Sequence, residues 1–134
     1  PFRSAIAAGL PAVMVSNTRV PGLTRLPASL SRSAVNGVLR RDLGFSGLVL
    51  PDSLSAGAVT AAGFGLEKAA VRALAVGDDM VLFGSAPDGL SATTRSVVHA
   101  VVSAVRAGHL PRARLESAVG HVLEVQHIEL CDPH

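Results

Sequence analysis

Asp52 ends a short aliphatic run, Leu48-Val-Leu-Pro-Asp52, and is followed at once by serines and small residues. A carboxylate placed where a buried strand gives way to a loop is ionised, accessible and fixed in direction, which suits it to nucleophilic or general-base work. The bland alternative is a solvated aspartate opening a loop. Asn17 and Arg19 follow a second such run, Val13-Met-Val-Ser-Asn17, and could bind a hydroxylated ligand or merely stabilise their loop.

Other constellations are weaker. His121, Glu124 and His127 form H-x-x-E-x-x-H, half of which has di-iron ligand spacing, but such a centre needs matching carboxylates on further helices, and a plain helix face is expected instead. His99 and His109 have no acidic neighbour in sequence. Gly63-Phe-Gly65 is the beginning of a phosphate-binding loop, yet Lys68 occupies the place of the third glycine and no convincing strand precedes it. The Ser55 to Gly65 segment therefore reads as a mobile loop after the Asp52 strand. Asp79 starts a third aliphatic run on the rim opposite Asp52 and is expected to be structural.

The elements that would hold these residues alternate between strand and helix. Val13 to Asn17, Leu48 to Asp52 and Met80 to Phe83 read as buried strands. Val35, Val38, Leu39 and Leu43 predict a helix with Ser31 as N-cap and Gly44 as its stop. Leu66, Ala69, Ala70, Ala73 and Leu74 predict a second, closed by Gly77. Val97, Val98, Val101, Val102 and Val105 predict a third, ended by Gly108, and Pro111 opens a fourth with Leu115, Val119 and Val122 inward. Continuous apolar strands joined by helices imply a parallel sheet with all strand C-termini on one rim, which would carry Asn17, Asp52 and Gly84. Periodicity leaves open a small doubly wound sheet or part of an eight-stranded barrel, which needs about 250 residues.

Composition narrows the partners. The 134 residues are 49% hydrophobic and only 3% aromatic, so a core is built from small aliphatic side chains. Twelve basic and ten acidic residues leave +2, and the arginines are scattered, which gives no nucleic-acid footprint. No apolar run approaches the ~20 residues of a transmembrane segment, and no signal peptide is recognisable. Cys131 stands alone, so no intrachain disulfide or thiolate cluster is expected, and localisation is left open between the bacterial cytoplasm, the cell envelope and secretion. Pro1 in place of an initiator Met suggests a sequence that begins inside a larger protein.

The stretch Val38 to Ser55, VLRRDLGFSGLVLPDSLS, resembles the signature of glycoside hydrolase family three: aliphatics, Arg, Gly-Phe-x-Gly, a hydrophobic strand and an Asp. PFRSAIAAGLPAVMVSN, PGLTRLPASLS and KAAVRALAVGDDMVLF are similar to flanking parts of the same domain, so the likeness covers most of the chain. It implies an α/β fold, about the last three β/α units of a TIM barrel, with residues 1–134 as one partial domain. It also implies that Asp52 is the nucleophile of a retaining hydrolase without metal or organic cofactor. Asp52-Ser-Leu-Ser55 is more similar to the β-N-acetylhexosaminidase branch, which acts on N-acetylglucosamine-containing glycans such as cell-wall fragments, than to the β-glucosidases, the alternative within the class. Asn17, Arg19 and Ser55 are the candidate sugar contacts. The chain departs from the family at Pro51, where a hydroxyl residue is usual, at Ser53, commonly a second Asp, and at Asn17, often a His. The branch's His and Asp acid/base dyad and its sugar-binding Lys-His pair have no counterpart here. The chain alone is therefore expected to be inactive. A non-catalytic barrel remnant or carbohydrate-binding module remains the rival, and open sheet edges predict self-association.

Overall fold

A computed structural model describes residues 1–128; Cys131 lies outside the described residues. A short helix α1 (Phe2–Ala7) leads into strand β1 (Ala12–Val15). A 3-10 turn (Ala28–Leu30) and a π-helix (Ser33–Asp42) follow, then strand β2 (Leu48–Pro51). Four α-helices complete the chain: α2 (Gly57–Ala61), α3 (Leu66–Val76), α4 (Leu90–Arg106) and α5 (Arg112–Val125). β1 and β2 are parallel, with Ala12 opposite Leu48 and Val15 opposite Pro51. Their outward side chains meet the helices in one apolar cluster of Val13, Val35, Leu39, Phe45, Val49 and Val76. A second cluster surrounds α3, whose fully buried Ala69, Ala70 and Ala73 let Leu30, Leu54, Val59 and Val97 approach closely.

The opposite face of the strands is only partly covered, with Leu48 buried and Leu50 half-buried. Met14, Met80 and Leu82 are exposed at 55%, 40% and 41%, although alternation places them on a single layer. That is the arrangement of barrel staves whose interior side lacks its other strands.

The third expected strand does not join the ladder among the described residues. Even-numbered residues of β2 and its flanks donate toward β1, as Leu48 N–H does to Pro11 O (3.0 Å) and Asp52 N–H to Val15 O (2.8 Å). The odd-numbered ones face the 79–83 segment. There the Val49 N–H is taken by the Asp79 carboxylate at 2.8 Å, and Pro51 has no N–H to offer. Met80 to Phe83 accordingly runs alongside β2 in extended form, tied by Asp79 N–H to Val49 O (2.7 Å) and Leu54 N–H to Leu82 O (2.8 Å).

Four further expectations are corrected. The first long helix closes i→i+5 and is a π-helix, which leaves Val35 and Leu39 buried and Val38 only half-buried. Ser31 does not cap it with its side chain: Arg32 is the N-cap, Ser31 Oγ meets Ser33 Oγ at 2.8 Å, and the Ser31 carbonyl accepts from Ala34 and Val35. The segment after Asp52 contains α2, anchored by fully buried Val59, and is not a mobile loop. On α4 and α5, Val98, Val102 and Val119 are exposed, and the buried positions are Val97, Ala104 and Ala118, because each helix packs on one side only. The glycine stops hold: Gly44, Gly77 and Gly108 have φ of +68°, +123° and +76°. Gly47 has a different reason, since a Cβ there would sit 2.5 Å from Pro11 O.

The N-terminal ends of the strands are locked by Asp79, whose side chain is wholly buried. One carboxylate oxygen accepts from Arg40 Nη2 (2.6 Å) and the Val49 N–H (2.8 Å), and the other from Arg114 Nη2 (2.8 Å). Arg40 also donates to Phe45 O and Gly47 O, and Arg114 to Leu74 O and Asp78 O, so the π-helix, β2, α3 and α5 converge on one carboxylate. The structural reading of Asp79 is thus met. Adjacent Asp78 is equally buried, and both its carboxyl oxygens lack a partner among the described residues. Burial, with the charge of Asp79 adding to it, pushes its carboxyl up to about 8.

Candidate active site

The parallel register ends where Asp52 begins. Its backbone N–H makes the last bond to β1, and the side chain, half-buried, emerges past the end of the strand. Asp52 Oδ1 accepts the Ser53 N–H at 2.7 Å. This fixes the carboxylate's direction through one oxygen and leaves Oδ2 without a partner among the described residues.

Behind it lies a buried polar chain. Asn17 is 6% exposed; its Nδ2 donates to Ser53 O at 2.7 Å, and its Oδ1 accepts from Ser29 Oγ at 2.6 Å. The loop after β1 is stapled to the 3-10 turn by Ala28 N–H to Thr18 O (3.0 Å) and Ser29 N–H to Ser16 O (3.1 Å). Asn17 therefore holds the carbonyl of Ser53, the residue whose N–H meets Asp52, and both ends of its amide are spent inside the protein. Ser29 and its role were not legible beforehand: a serine in a Pro-Ala-Ser-Leu stretch gives no sign that its hydroxyl will be buried.

Asp52, Asn17 and Arg19 line one open concavity of about 470 Å³, with Ser16, Thr18 and Pro27. Arg19 is exposed there. Ser55 is not part of that wall. Its hydroxyl donates to Gly84 O (3.0 Å) and accepts the Gly84 N–H (3.2 Å), which straps the segment after the third run to the Asp52 loop. Three of the four candidate residues are thus brought together and the fourth faces another neighbour.

Residues 1–125 match the glycosyl hydrolase family 3 N terminal domain. The chain belongs to that family. It is similar to the beta-hexosaminidase LpqI of Mycobacterium tuberculosis, at 35% identity over 128 residues that make up 91% of this chain and 31% of the relative. It also resembles a beta-N-acetylglucosaminidase/beta-glucosidase of Cellulomonas fimi, 31% identical over 93% of this chain and 23% of the relative. Among solved structures, a family 3 beta-N-acetylglucosaminidase from Paenibacillus superposes with a TM-score of 0.86 at 32% identity, covering 96% of this chain and 24% of that one. The chain therefore spans about a quarter to about a third of the length of the curated relatives it matches, and it folds as a portion of their α/β barrel.

His121, Glu124 and His127 do not gather into a group of metal-holding side chains among the described residues. None of the described helices is long and apolar enough to cross a membrane.

Proposed function

We propose that this chain supplies the nucleophile side of a retaining β-N-acetylhexosaminidase, with Asp52 as the nucleophile. The observation that carries the reading is the Asp52 carboxylate itself: held through one oxygen, open at the other, at a strand's C-terminal end in a concavity shared with Arg19. In the reaction Asp52 attacks the anomeric carbon of a terminal N-acetylhexosamine and forms a glycosyl ester, while a partner acid protonates the departing oxygen. Water, deprotonated by the same partner, then cleaves the ester with net retention. That partner belongs about 5–5.5 Å from Asp52, and no residue of this chain is assigned to it. Arg19 is the candidate contact for substrate hydroxyls. Asn17 and Ser55, whose polar atoms are engaged, act on the substrate through the loops they hold. No metal or organic cofactor enters the scheme.

The test is trapping of the full-length gene product with a 2-fluoro sugar carrying a good leaving group, followed by peptide mass spectrometry. Label on Asp52 is expected; label elsewhere overturns the assignment. Asp52→Asn should lower kcat/KM on an aryl N-acetylglucosaminide by at least about a thousandfold, equivalent to ~4 kcal/mol of barrier. Comparison with the aryl glucoside separates this branch from a β-glucosidase. A second reading, a barrel remnant without catalysis, is favoured by Pro51; full-length protein that turns over neither substrate while retaining carbohydrate binding would establish it.

A further inference from the structure

On the rim away from Asp52, α5 crosses the N-terminal ends of the strands and leaves a hollow of about 340 Å³ against the π-helix. Asn36, Arg40, Ser46, Arg114, Ser117 and His121 line it, and no acidic side chain does. The one carboxylate that the arginines share, Asp79, lies beneath them with no exposed side-chain surface, whereas Arg40, Arg114 and His121 keep 18%, 19% and 26% of theirs. Two guanidinium charges therefore face one carboxylate charge, and the excess is presented to the hollow.

Donors are in surplus as well. Arg114 spends Nε and Nη2 on Leu74 O, Asp78 O and Asp79, which leaves Nη1 without a partner among the described residues. His121 Nδ1 is itself buried, 3.0 Å from Asp79 Oδ1, inside ion-pair range but not aligned for a hydrogen bond, so only the rest of the ring borders the hollow. Asn36, Ser46 and Ser117 add an amide and two hydroxyls with no recorded commitment among the described residues. The neighbouring Asp78 does not restore neutrality, because burial keeps its carboxyl protonated at pH 7.

We propose that this hollow is a binding site for a small oxyanion, a phosphate or carboxylate group, held by Arg114 and His121 over the buried Asp79 and distinct from the Asp52 concavity. Guanidinium donors with an imidazole beside them, converging on a partly desolvated cavity, are the chemistry that recognises such groups, and the buried carboxylate orients the guanidinium groups without occupying the site. A structural ion-pair cluster alone would need Asp79 and the arginines but not the uncommitted donors around the open side.

The test follows the His121 ring resonances of the full-length gene product by NMR while inorganic phosphate, and separately acetate, is added at constant ionic strength. A saturable shift with a Kd in the range of about 1–10 mM is expected for phosphate. Ser117→Asp, which puts a carboxylate into the hollow while leaving Arg40, Arg114 and Asp79 in place, should abolish the saturable shift and keep or raise the phosphate-free Tm. Acetate saturating the same shift assigns carboxylates to the site too; saturation by phosphate alone restricts it to tetrahedral anions, and either supports the proposal. Shifts that grow linearly without saturating, or saturate equally in Ser117→Asp, overturn it.

Discussion

Two aspartates mark the two ends of the same strands, and they are treated in opposite ways. Asp79 is sealed from solvent and receives two arginines and a backbone N–H, so both its oxygens are spent on joining four elements. Asp52 stands half-open, receives one N–H, and keeps one oxygen without a partner among the described residues. A carboxylate that holds a fold together has its hydrogen-bonding capacity filled by its own chain; one that is to react has capacity left over. Chain position alone would not separate them, since both border an aliphatic run.

The contrast can be broken or sharpened by measurement. The largest effect belongs to Asp78, the unpartnered neighbour of Asp79. Its folded pKa of about 8 lies above the ordinary value of 3.8, so the folded state holds the proton more tightly. The stability from that proton is fully present below about pH 4 and is lost as pH rises toward 8. The linked change is on the order of 5 kcal/mol across that window. Asp78→Asn should flatten the dependence of Tm on pH between 4 and 8; an unchanged slope would show that Asp78 is not the group responsible.

Next is Asp79→Ala. It strands Arg40 and Arg114 among partly buried surroundings and should cost about 3–5 kcal/mol, enough to unfold a marginal domain, as read by urea denaturation. Ser29→Ala removes a buried hydroxyl and leaves Asn17 Oδ1 unpaired, with an expected loss of about 1–3 kcal/mol. In the full-length protein it should also lower kcat more than it raises KM, since Asp52 is held through Asn17 and Ser53. The smallest effect on folding is that of Asp52→Asn, within about 0.5 kcal/mol of the parent in the same denaturation assay, despite its expected effect on turnover. A large loss of stability there would erase the distinction between the two carboxylates.

How far the sequence anticipates this arrangement depends on the kind of interaction involved. β1, β2, α3 and the glycine stops are written in local patterns, because hydrophobic period and positive φ are properties of neighbouring residues. Asp52 at the strand end follows from the same patterns and from the family signature around it. The third strand fails for a reason that is not local: Pro51 and the Asp79 carboxylate together remove both donors its ladder would need, and only the pairing of residues 49 and 79 reveals it. Val98, Val102 and Val119 match the helical period yet are exposed, since periodicity identifies an apolar face without naming what covers it. The Ser29–Asn17–Ser53 relay likewise joins three separate segments, and no spacing rule connects them.

The ion cluster on Asp79 also sets an order of events. Arg40 and Arg114 are 74 positions apart, and Asp79 lies between them, so the cluster that fastens the strand ends joins three separate segments of the chain. During synthesis at about 5–20 residues per second, the π-helix and β2 wait several seconds before the helix bearing Arg114 has been made. Through that interval Asp79 and Arg40 have each other but not their third member. The time spent in that half-fastened state, more than the final stability, governs how readily the nascent chain pairs with the wrong surface.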